Sequence, residues 1–197
     1  MAENVEVERL ESSDKPELLN LFTQVFEEHP LIPAVGAKPE ATRPVMNAFL
    51  DCFGGTRNSL LCGIRKDNKL ACATVSLDST VRPSKSALIG FIFALVQAVG
   101  WRMVREFEAV VREEPKYEDR YLELIIFGTL PAYQRQGLGR KMLNFLYNEA
   151  KRQGYKGVIL VADRNTPAFN LYLKEGFSVD RVFIMGEATL CWMHLVF

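Results

Sequence analysis

One nonapeptide constrains the fold of this chain more than any other stretch: YQRQGLGRK, Tyr133 to Lys141. It lies between an apolar, strand-like run, Tyr121 to Leu130, and a helix-like run, Met142 to Gln153. A strand, a glycine-containing turn and a helix start bring several backbone N–H groups together, and such sites favour anions. The pattern therefore predicts a strand–turn–helix unit that binds phosphate or pyrophosphate.

The cations of this turn support the same interpretation. Arg140 and Lys141 fall in the first helical turn, where positive side chains oppose the helix dipole. A bound polyanion would satisfy these cations, Arg135 and the backbone N–H groups together. The alternative is a solvated tight turn with ordinary surface cations. The nucleotide patterns GxxxxGK[ST] and GxGxxG are both absent, because Met142 stands where the latter needs its third glycine.

The remaining pattern predicts a mixed α/β sheet in a single domain, residues 1–197, because hairpins alternate with βα units. The predicted strands are Val5–Leu10, a hairpin over Ser59–Leu77 that turns at Asp67–Lys69, Tyr121–Leu130, Val158–Ala162, and a last pair, Phe177–Phe183 and Thr189–Phe197, around Gly186. The predicted helices run from an Asp14–Glu17 capping box to about Glu28, over Glu40–Phe53, over Ser84–Glu113 with a break at Gly90 or Gly100, over Leu138–Gln153, and from Pro167, capped by Thr166, to Gly176. A loop is expected over His29–Pro39.

Composition excludes several classes of function. The formal net charge is zero, so no nucleic-acid partner is expected. Four cysteines without a CxxC pair, and only two histidines, argue against a metal site and against a disulfide framework. Free thiols are typical of a reducing compartment, and the acidic start MAENVEVERL is no signal or transit peptide, so we expect a cytoplasmic protein.

A second apolar segment, Ser86 to Trp101, is uncharged along its whole length. It is shorter than the roughly 20 residues that a membrane-spanning helix needs. We therefore expect a helix that packs on the body of the protein or at a subunit contact, as in a homodimer, rather than membrane contact.

Two stretches carry a resemblance to a known family. QRQGLG, Gln134 to Gly139, resembles the [QR]xxGx[GA] signature of the GNAT superfamily of N-acetyltransferases. NTPAFNLYLKEGF, Asn165 to Phe177, is similar to the second signature of that family, N…A…LY…GF. The apolar helix before the central strand is similar to the branch that includes puromycin N-acetyltransferase.

The resemblance implies the GNAT acyl-CoA N-acyltransferase fold, with six to seven strands, flanking helices and a V-shaped splay between two parallel strands. These strands would be Tyr121–Leu130 and Val158–Ala162. It also implies acetyl-CoA as co-substrate and no metal. The cofactor contacts that it implies are backbone pairing of pantetheine with Phe127, Gly128 and Thr129, pyrophosphate binding by Gln134, Arg135, Gln136, Gly137, Leu138, Gly139 and Arg140, and a pantetheine contact from Asn165.

The implied reaction is direct transfer to a primary amine of a small molecule or peptide in a ternary complex. Glu123 is the candidate base, since it occupies the position of the base glutamate in the histone-acetylating branch, eleven residues before Gln134. A lone acid in an otherwise apolar run is costly unless it is paired or useful, and burial would raise its pKa toward neutrality. It could instead be a structural carboxylate, and Tyr121 or Asp119 could be the base.

Tyr172 is the candidate acid, because it matches the tyrosine of the second signature, which faces the thioester sulfur. A phenol with a pKa of about 10 stays protonated and can donate to a thiolate whose thiol has a pKa of about 8.5. Tyr172 could also be a packed aromatic residue beside Phe169 and Leu173. A backbone N–H near Phe127–Thr129 would stabilise the oxyanion. No acyl-enzyme is expected, because Cys191 has no evident histidine partner.

The acceptor pocket is expected between the first two helices, their loop and the last hairpin. Its candidate residues are His29 to Val35, Phe49, Phe53 and the Phe183–Cys191 region. Two other functions stay open at this point. One is a catalytically silent GNAT-like module that senses coenzyme A, and the other is an interaction protein that uses the Ser86–Trp101 helix.

Overall fold

The computed structural model describes residues 6–27, 29 and 38–197, without the side chains of residues 102, 103 and 109. The strands are β1 (Val7–Arg9), β2 (Leu60–Lys66), β3 (Lys69–Asp78), β4 (Leu122–Thr129), β5 (Gly157–Asp163), β6 (Ser178–Met185) and β7 (Ala188–Val196). The α-helices are α1 (Lys15–Glu27), α2 (Thr42–Phe49), α3 (Lys85–Val99), α4 (Trp101–Arg112), α5 (Leu138–Arg152) and α6 (Pro167–Lys174). Most of the loop predicted over His29–Pro39 lies outside the described residues.

The strands form one seven-stranded sheet in the order β1-β2-β3-β4-β5-β7-β6. Only the central pair, β4 and β5, is parallel, and α5 makes the crossover between these two strands. All other neighbours pair antiparallel. The predicted mixed sheet is therefore confirmed, with its parallel pair at the strands that flank the glycine turn.

Two hydrophobic layers cover the sheet. On one face, α5 and α6 pack their apolar side chains against the parallel strands, with Met142, Leu143 and Leu146 fully buried. On the other face, α1 to α4 cover the sheet, and Phe22 and Leu95 are among the buried residues. The sheet is thus buried on both sides at its centre, as expected for a parallel pair.

Local chemistry explains the element boundaries. The β2–β3 hairpin turns at Asp67 and Asn68, both left-handed (φ of 52° and 57°), a conformation that short polar residues tolerate and that suits a two-residue hairpin. The long helical region breaks at Gly100 (φ of 79°), whereas Gly90 lies inside α3. Of the two predicted break points, Gly100 is therefore right and Gly90 is wrong.

Two predicted caps take other roles. The Asp14 carboxylate accepts a hydrogen bond from the backbone N–H of Glu11 (2.8 Å), so it closes a 3₁₀ turn before α1 rather than opening a box with Glu17. Thr166 stands at the N-cap of α6, but its hydroxyl donates to the carbonyl of Asp163 (2.7 Å). Pro167 still begins the helix, where a missing N–H costs nothing.

Helix α3 packs on the body through Phe91 and Leu95, which are 3% and 1% exposed. Its outer side exposes Ile89 and Phe93, and the exposed Trp101 follows at the start of α4. None of the described helices is long and apolar enough to cross a membrane. The expected packing on the body is confirmed, while the homodimer stays a prediction.

We predict that Gly157→Ala destabilises the fold strongly. An added Cβ would lie 1.8 Å from the carbonyl oxygen of Leu195, so the β5–β7 backbone must shift. The expected loss in the free energy of unfolding is about 2–4 kcal/mol, measured by urea denaturation. The matched control is Gly90→Ala. Apart from its neighbours and the backbone of its own helix, no described atom lies within 4 Å of the new Cβ, and the helix should gain about 0.5–1 kcal/mol. If Gly157→Ala lowered the free energy of unfolding by less than Gly90→Ala raises it, the close packing at Gly157 would be contradicted.

Candidate active site

The site begins where the parallel pair separates. The β4–β5 ladder joins Leu122–Leu124 to Val158–Leu160 and goes no further. Beyond it, β4 continues to Thr129, still paired with β3 on its other side, and β5 continues to Asp163, paired with β7. The β5-facing backbone edge of residues 125–129 therefore has no strand partner among the described elements. This is the V-shaped opening that the sequence predicts.

A β-bulge at the mouth of the opening redirects the side chains of β4. Val75 of β3 pairs with Ile126 and the next residue, Ser76, pairs with Leu124, so Ile125 is an extra residue without an opposite partner. As a result, Leu124 packs into the α5–α6 layer and Ile126 into the α1–α4 layer. Bulges of this kind commonly aim side chains at sites.

A cavity of about 440 Å³ lies at this opening. Both candidate catalytic residues, Glu123 and Tyr172, contribute to its wall. The predicted acceptor-side residues that line it are His29, Phe49, Phe53, Met185 and Leu190. Residues 30–35 lie outside the described part of the chain, and Phe183 and Cys191 are not in the wall. One cavity therefore joins the predicted cofactor cleft, at Phe127, to part of the predicted acceptor pocket.

Glu123 is nearly enclosed, with a side chain that is 17% exposed. Burial raises its pKa to about 7, nearby Glu114 adds to the rise, and Arg82 offsets part of it. The carboxylate accepts no hydrogen bond from the described residues, and its nearest cation is Arg82, at 4.0 Å between Nη1 and Oε2. Glu123 is thus a carboxyl group that exchanges its proton near neutral pH.

Arg82 and Glu114 form the polar part of the cavity wall that sequence reasoning missed. The Nη2 group of Arg82 donates to both carboxylate oxygens of Glu114 (3.0 and 3.2 Å), and its Nη1 donates to the carbonyl of Ser79 (2.8 Å). Arg82 therefore pairs mainly with Glu114, and its contact with Glu123 is longer. Neither residue belongs to a motif, and only the chain path around α3 and α4 brings them to Glu123.

Tyr172 lies on α6 and is 5% exposed, with its ring 5.5 Å from that of Phe177. Burial raises its pKa above the ordinary value, with Tyr147 and Cys72 contributing, so the phenol keeps its proton at neutral pH. Burial also raises the pKa of the Cys72 thiol to about 11. A thiolate released in the same interior would likewise be more basic than in water, which helps a buried phenol to protonate it.

The glycine turn has the backbone of an anion nest. Gly137, the N-cap of α5, has a φ of 81°, and Arg135 has a φ of 57°, which is uncommon for a residue with a side chain. The first helical bond runs from the N–H of Lys141 to the carbonyl of Gly137 (3.0 Å). The N–H groups of residues 138–140 precede it and have no acceptor within the helix. The predicted turn and helix start are present at the predicted residues.

Side chains hold this turn in place. Gln134 Nε2 donates to the carbonyl of Thr129 (3.1 Å), and Gln136 Nε2 donates to the carbonyl of Ala132 (3.0 Å). Lys66, from the end of β2, donates through Nζ to Gln136 Oε1 (2.6 Å). The two motif glutamines therefore position the backbone, and Lys66 adds a cation that the motif does not contain.

Arg140, which lies at the positive end of the α5 dipole, pairs with a carboxylate of the same chain. Arg140 Nε donates to Glu175 Oε1 (2.7 Å), and Glu175 follows the end of α6. The ion pair offsets the unfavourable placement of one cation in the first turn of α5. The sequence pattern predicts an anion or solvent as the partner of Arg140 and does not indicate this carboxylate.

The remaining candidates separate clearly. Asn165 is exposed just beyond β5, and its N–H donates to Asp163 Oδ1 (2.9 Å). Tyr121 is buried against Tyr117 and Asp119 is exposed, and neither lines the cavity. Cys191 is buried in the α5–α6 layer, where burial raises its pKa, so it is poorly placed as a nucleophile. The described residues contain no cluster of His, Cys, Asp and Glu side chains that could hold a metal ion.

The sequence profile of the Acetyltransferase (GNAT) family matches residues 39–177. The chain belongs to the GNAT family of acetyltransferases. It is therefore an acyltransferase of a family that acts on amine acceptors in general. This disfavours the alternative prediction of a catalytically silent module that senses coenzyme A. No curated protein sequence matches the chain significantly. The finer placement near puromycin N-acetyltransferase stays a prediction.

Solved structures of other acetyltransferases share the fold of this GNAT protein. One is the histone acetyltransferase HPA2 and related acetyltransferase from Corynebacterium glutamicum (TM-score 0.67, 18% identity, 96% of this chain and 94% of that chain covered). Another is arylalkylamine N-acetyltransferase 2 from Aedes aegypti (TM-score 0.67, 14% identity, 98% of this chain and 99% of that chain covered). A third is the PaiA N-acetyltransferase from Thermoplasma acidophilum, solved in complex with coenzyme A (TM-score 0.61, 14% identity, 99% of this chain and 100% of that chain covered). At these identities the likeness establishes the fold alone.

We predict that Glu123→Gln makes the protein more stable at alkaline pH. The raised pKa means that the folded state holds this proton more tightly than the unfolded chain, so ionisation costs stability as pH rises from about 4.5 through 7. The variant and the wild type should have similar free energies of unfolding near pH 4, and the variant should be roughly 2–3 kcal/mol more stable at pH 8. Urea denaturation across this pH range measures the difference.

The matched control is Glu118→Gln, which removes a carboxylate from an exposed position before β4. This substitution should leave the pH dependence of stability close to that of the wild type. A Glu123→Gln curve that runs parallel to the wild-type curve would refute the description of Glu123 as a buried, uncompensated carboxyl group.

Proposed function

We propose that this GNAT protein transfers the acetyl group of acetyl-CoA directly to a primary amine of a small molecule or peptide, in a ternary complex. The observation that carries the proposal is that Glu123 and Tyr172 line one cavity at the open end of the β4–β5 pair. One residue exchanges a proton near neutrality and the other keeps its proton. Direct transfer needs these two properties on the two sides of the reacting carbonyl.

The chain offers a fitting place for the co-substrate. Pantetheine would pair with the unpartnered backbone edge of β4 at Phe127, Gly128 and Thr129, as an added strand pairs with a sheet edge. The pyrophosphate would bind the N–H groups of residues 136–140, with Arg135 and Lys66 nearby. At Gly137 no described residue other than its two chain neighbours lies within 4 Å of the Cβ position, so the approach to the turn is open. The PaiA protein, which shares the fold, was solved in complex with coenzyme A, and this supports the use of an acyl-CoA.

Acetyl-CoA supplies an acetyl group activated as a thioester, and the protein residues manage the protons. Glu123, directly or through water, takes the proton that the ammonium must lose before nitrogen attacks. A backbone N–H of Phe127–Thr129 donates to the carbonyl oxygen as negative charge develops there. When the N–C bond has formed and the C–S bond breaks, Tyr172 donates its proton to the departing sulfur. The nitrogen of the adduct loses its second proton at this stage, and that proton returns through water to the Tyr172 phenolate.

We also propose that the chain forms one GNAT domain that works in a reducing, cytoplasmic setting. All four cysteines are free and buried, so the fold carries no disulfide. Thiols of this kind persist where glutathione and thioredoxin keep the environment reducing.

The cofactor part of the proposal is tested by calorimetric titration with acetyl-CoA. We expect the wild type to bind, and Gly137→Glu to lose binding by at least about 100-fold, because the variant places a carboxylate at the phosphate nest. Gly137→Ala is the matched control, since both substitutions carry the same left-handed backbone strain but only one adds charge and bulk. Equal loss in both variants would mean that backbone strain, and not the site of the anion, explains the effect.

The catalytic part is tested by the contrast between two variants in steady-state acetylation. Tyr172→Phe should lower kcat by about 10- to 1,000-fold at every pH while acetyl-CoA still binds. Glu123→Gln should lower kcat/KM and remove the acidic limb, which in the wild type should bend near pH 7. An unchanged acidic limb would exclude Glu123 as the base, and a parallel loss of acetyl-CoA binding in Tyr172→Phe would exclude Tyr172 as the acid.

A further inference from the structure

Part of the cavity wall, here called the chamber, is formed by aromatic rings. Phe49 ends α2, Phe53 follows in the turn after it, and Phe107 comes from α4, and all three line the cavity. The ring of Phe49 lies 5.4 Å from that of Phe53 and 5.8 Å from that of Phe107, so the rings form one continuous wall. Trp192 of β7 adds a further ring, fixed by its bond to the carbonyl of Val110 (3.2 Å).

The polar groups that line the cavity are mostly engaged within the protein. Arg82 and Glu114 are bonded to each other. Asp163 accepts the N–H of residue 165 and, through its carbonyl, the hydroxyl of Thr166. Glu123 differs, because its carboxylate accepts no hydrogen bond from the described residues. Among the described residues, the chamber thus offers a ligand apolar rings and one carboxylate that accepts no hydrogen bond.

We infer that the acceptor is a small primary amine with a single ammonium group and an apolar, ring-bearing body, of the size of a phenylethylamine. This inference rests on the proposed function and names its substrate class. The ring would pack among Phe49, Phe53 and Phe107, where offset and edge-to-face contacts favour aromatic groups. The ammonium would lie at Glu123, which also accepts its proton.

The same chamber disfavours the other amines that the proposed function allows. A polyamine would bring a second cation against walls whose other described carboxylates, Glu114 and Asp163, are already bonded within the protein, and burying an unpaired charge is costly. A peptide would bring N–H and C=O groups that need hydrogen-bond partners, which aromatic walls do not supply. A volume of about 440 Å³, shared with the acetyl group, suits one ring and a short chain.

The test uses intrinsic fluorescence. The chain has two tryptophans, of which Trp192 lines the cavity and is 2% exposed, while Trp101 is 65% exposed and lies outside it. The variant Trp101→Phe therefore leaves Trp192 as the reporter. It is titrated, in the presence of coenzyme A, with 2-phenylethylamine, 2-phenylethanol, spermidine and trialanine.

We expect a saturable change for 2-phenylethylamine, with a Kd at least about tenfold below those of the other three compounds. Spermidine or trialanine binding as tightly as 2-phenylethylamine, or no response to 2-phenylethylamine, would overturn the inference.

Two further variants in the Trp101→Phe background locate the ligand. Phe107→Leu should raise the Kd for 2-phenylethylamine about three- to tenfold, whereas Phe93→Leu, an exposed ring on α3, should leave it unchanged. Glu123→Gln should weaken 2-phenylethylamine and leave 2-phenylethanol unaffected, because only the amine carries charge. Equal effects of the two phenylalanine substitutions would place the ligand outside the chamber and overturn the inference.

Release of the coenzyme A thiol from acetyl-CoA separates this inference from the proposed function. If spermidine or trialanine is acetylated and 2-phenylethylamine is not, the proposed function stands and the acceptor class is wrong. If 2-phenylethylamine binds with the expected selectivity but no amine releases the thiol, acetyl transfer is wrong and the chamber's ligand class stands.

Discussion

The short ladder between β4 and β5 is the constraint on which the rest of the structure depends. Three residue pairs hold the two parallel strands together, and beyond them β3 and β7 keep each strand paired on its other side while the strands part. The opening therefore consists of regular backbone, held by neighbours on both sides, rather than of a loop. Sites on rigid elements keep their geometry better than sites on loops. The bulge at Ile125 then assigns side chains to the two faces, so that Glu123 and Ile126 share the α1–α4 side.

The same packing sets the electrostatics of the site. Glu123 stands on a strand whose neighbouring side chains are apolar. Arg82, the one cation within 4.0 Å of it in the part of the chain that the structure describes, is bonded to Glu114. Burial consequently dominates the pKa of Glu123, where a free arginine at the same place would have kept the carboxyl group ionised. The Arg82–Glu114 pair thus allows Glu123 to exchange its proton near neutral pH, although Arg82 lies 4.0 Å from its carboxylate. Burial acts on Tyr172 in the same direction and keeps its phenol protonated.

Much of this could be predicted from the sequence, because the signals were local. The start of α5, the β2–β3 turn, the break at Gly100 and the strand pair around Gly186 follow from glycine, short polar residues and periodicity within a few positions. The misses are contacts between residues that are distant in sequence. These contacts depend on how the helices and strands pack, and composition and motif spacing do not predict that packing. They are Arg82 with Glu114, Lys66 with Gln136 and Arg140 with Glu175. The bulge at Ile125 likewise leaves no mark in an apolar run.

The first turn of α5 combines two ways of tolerating cations at the positive end of a helix. Glu175 neutralises Arg140 within the fold, so this part of the turn is stable without a ligand. Arg135 is exposed in a left-handed conformation, and Lys66 reaches the turn only through the side chain of Gln136. The helix start therefore combines one cation that the protein satisfies with two that lie beside open backbone N–H groups. An anion would gain from the latter pair and from the dipole without having to displace Glu175, which explains how the fold tolerates Arg140, Arg135 and Lys66 here in addition to the exposed Lys141.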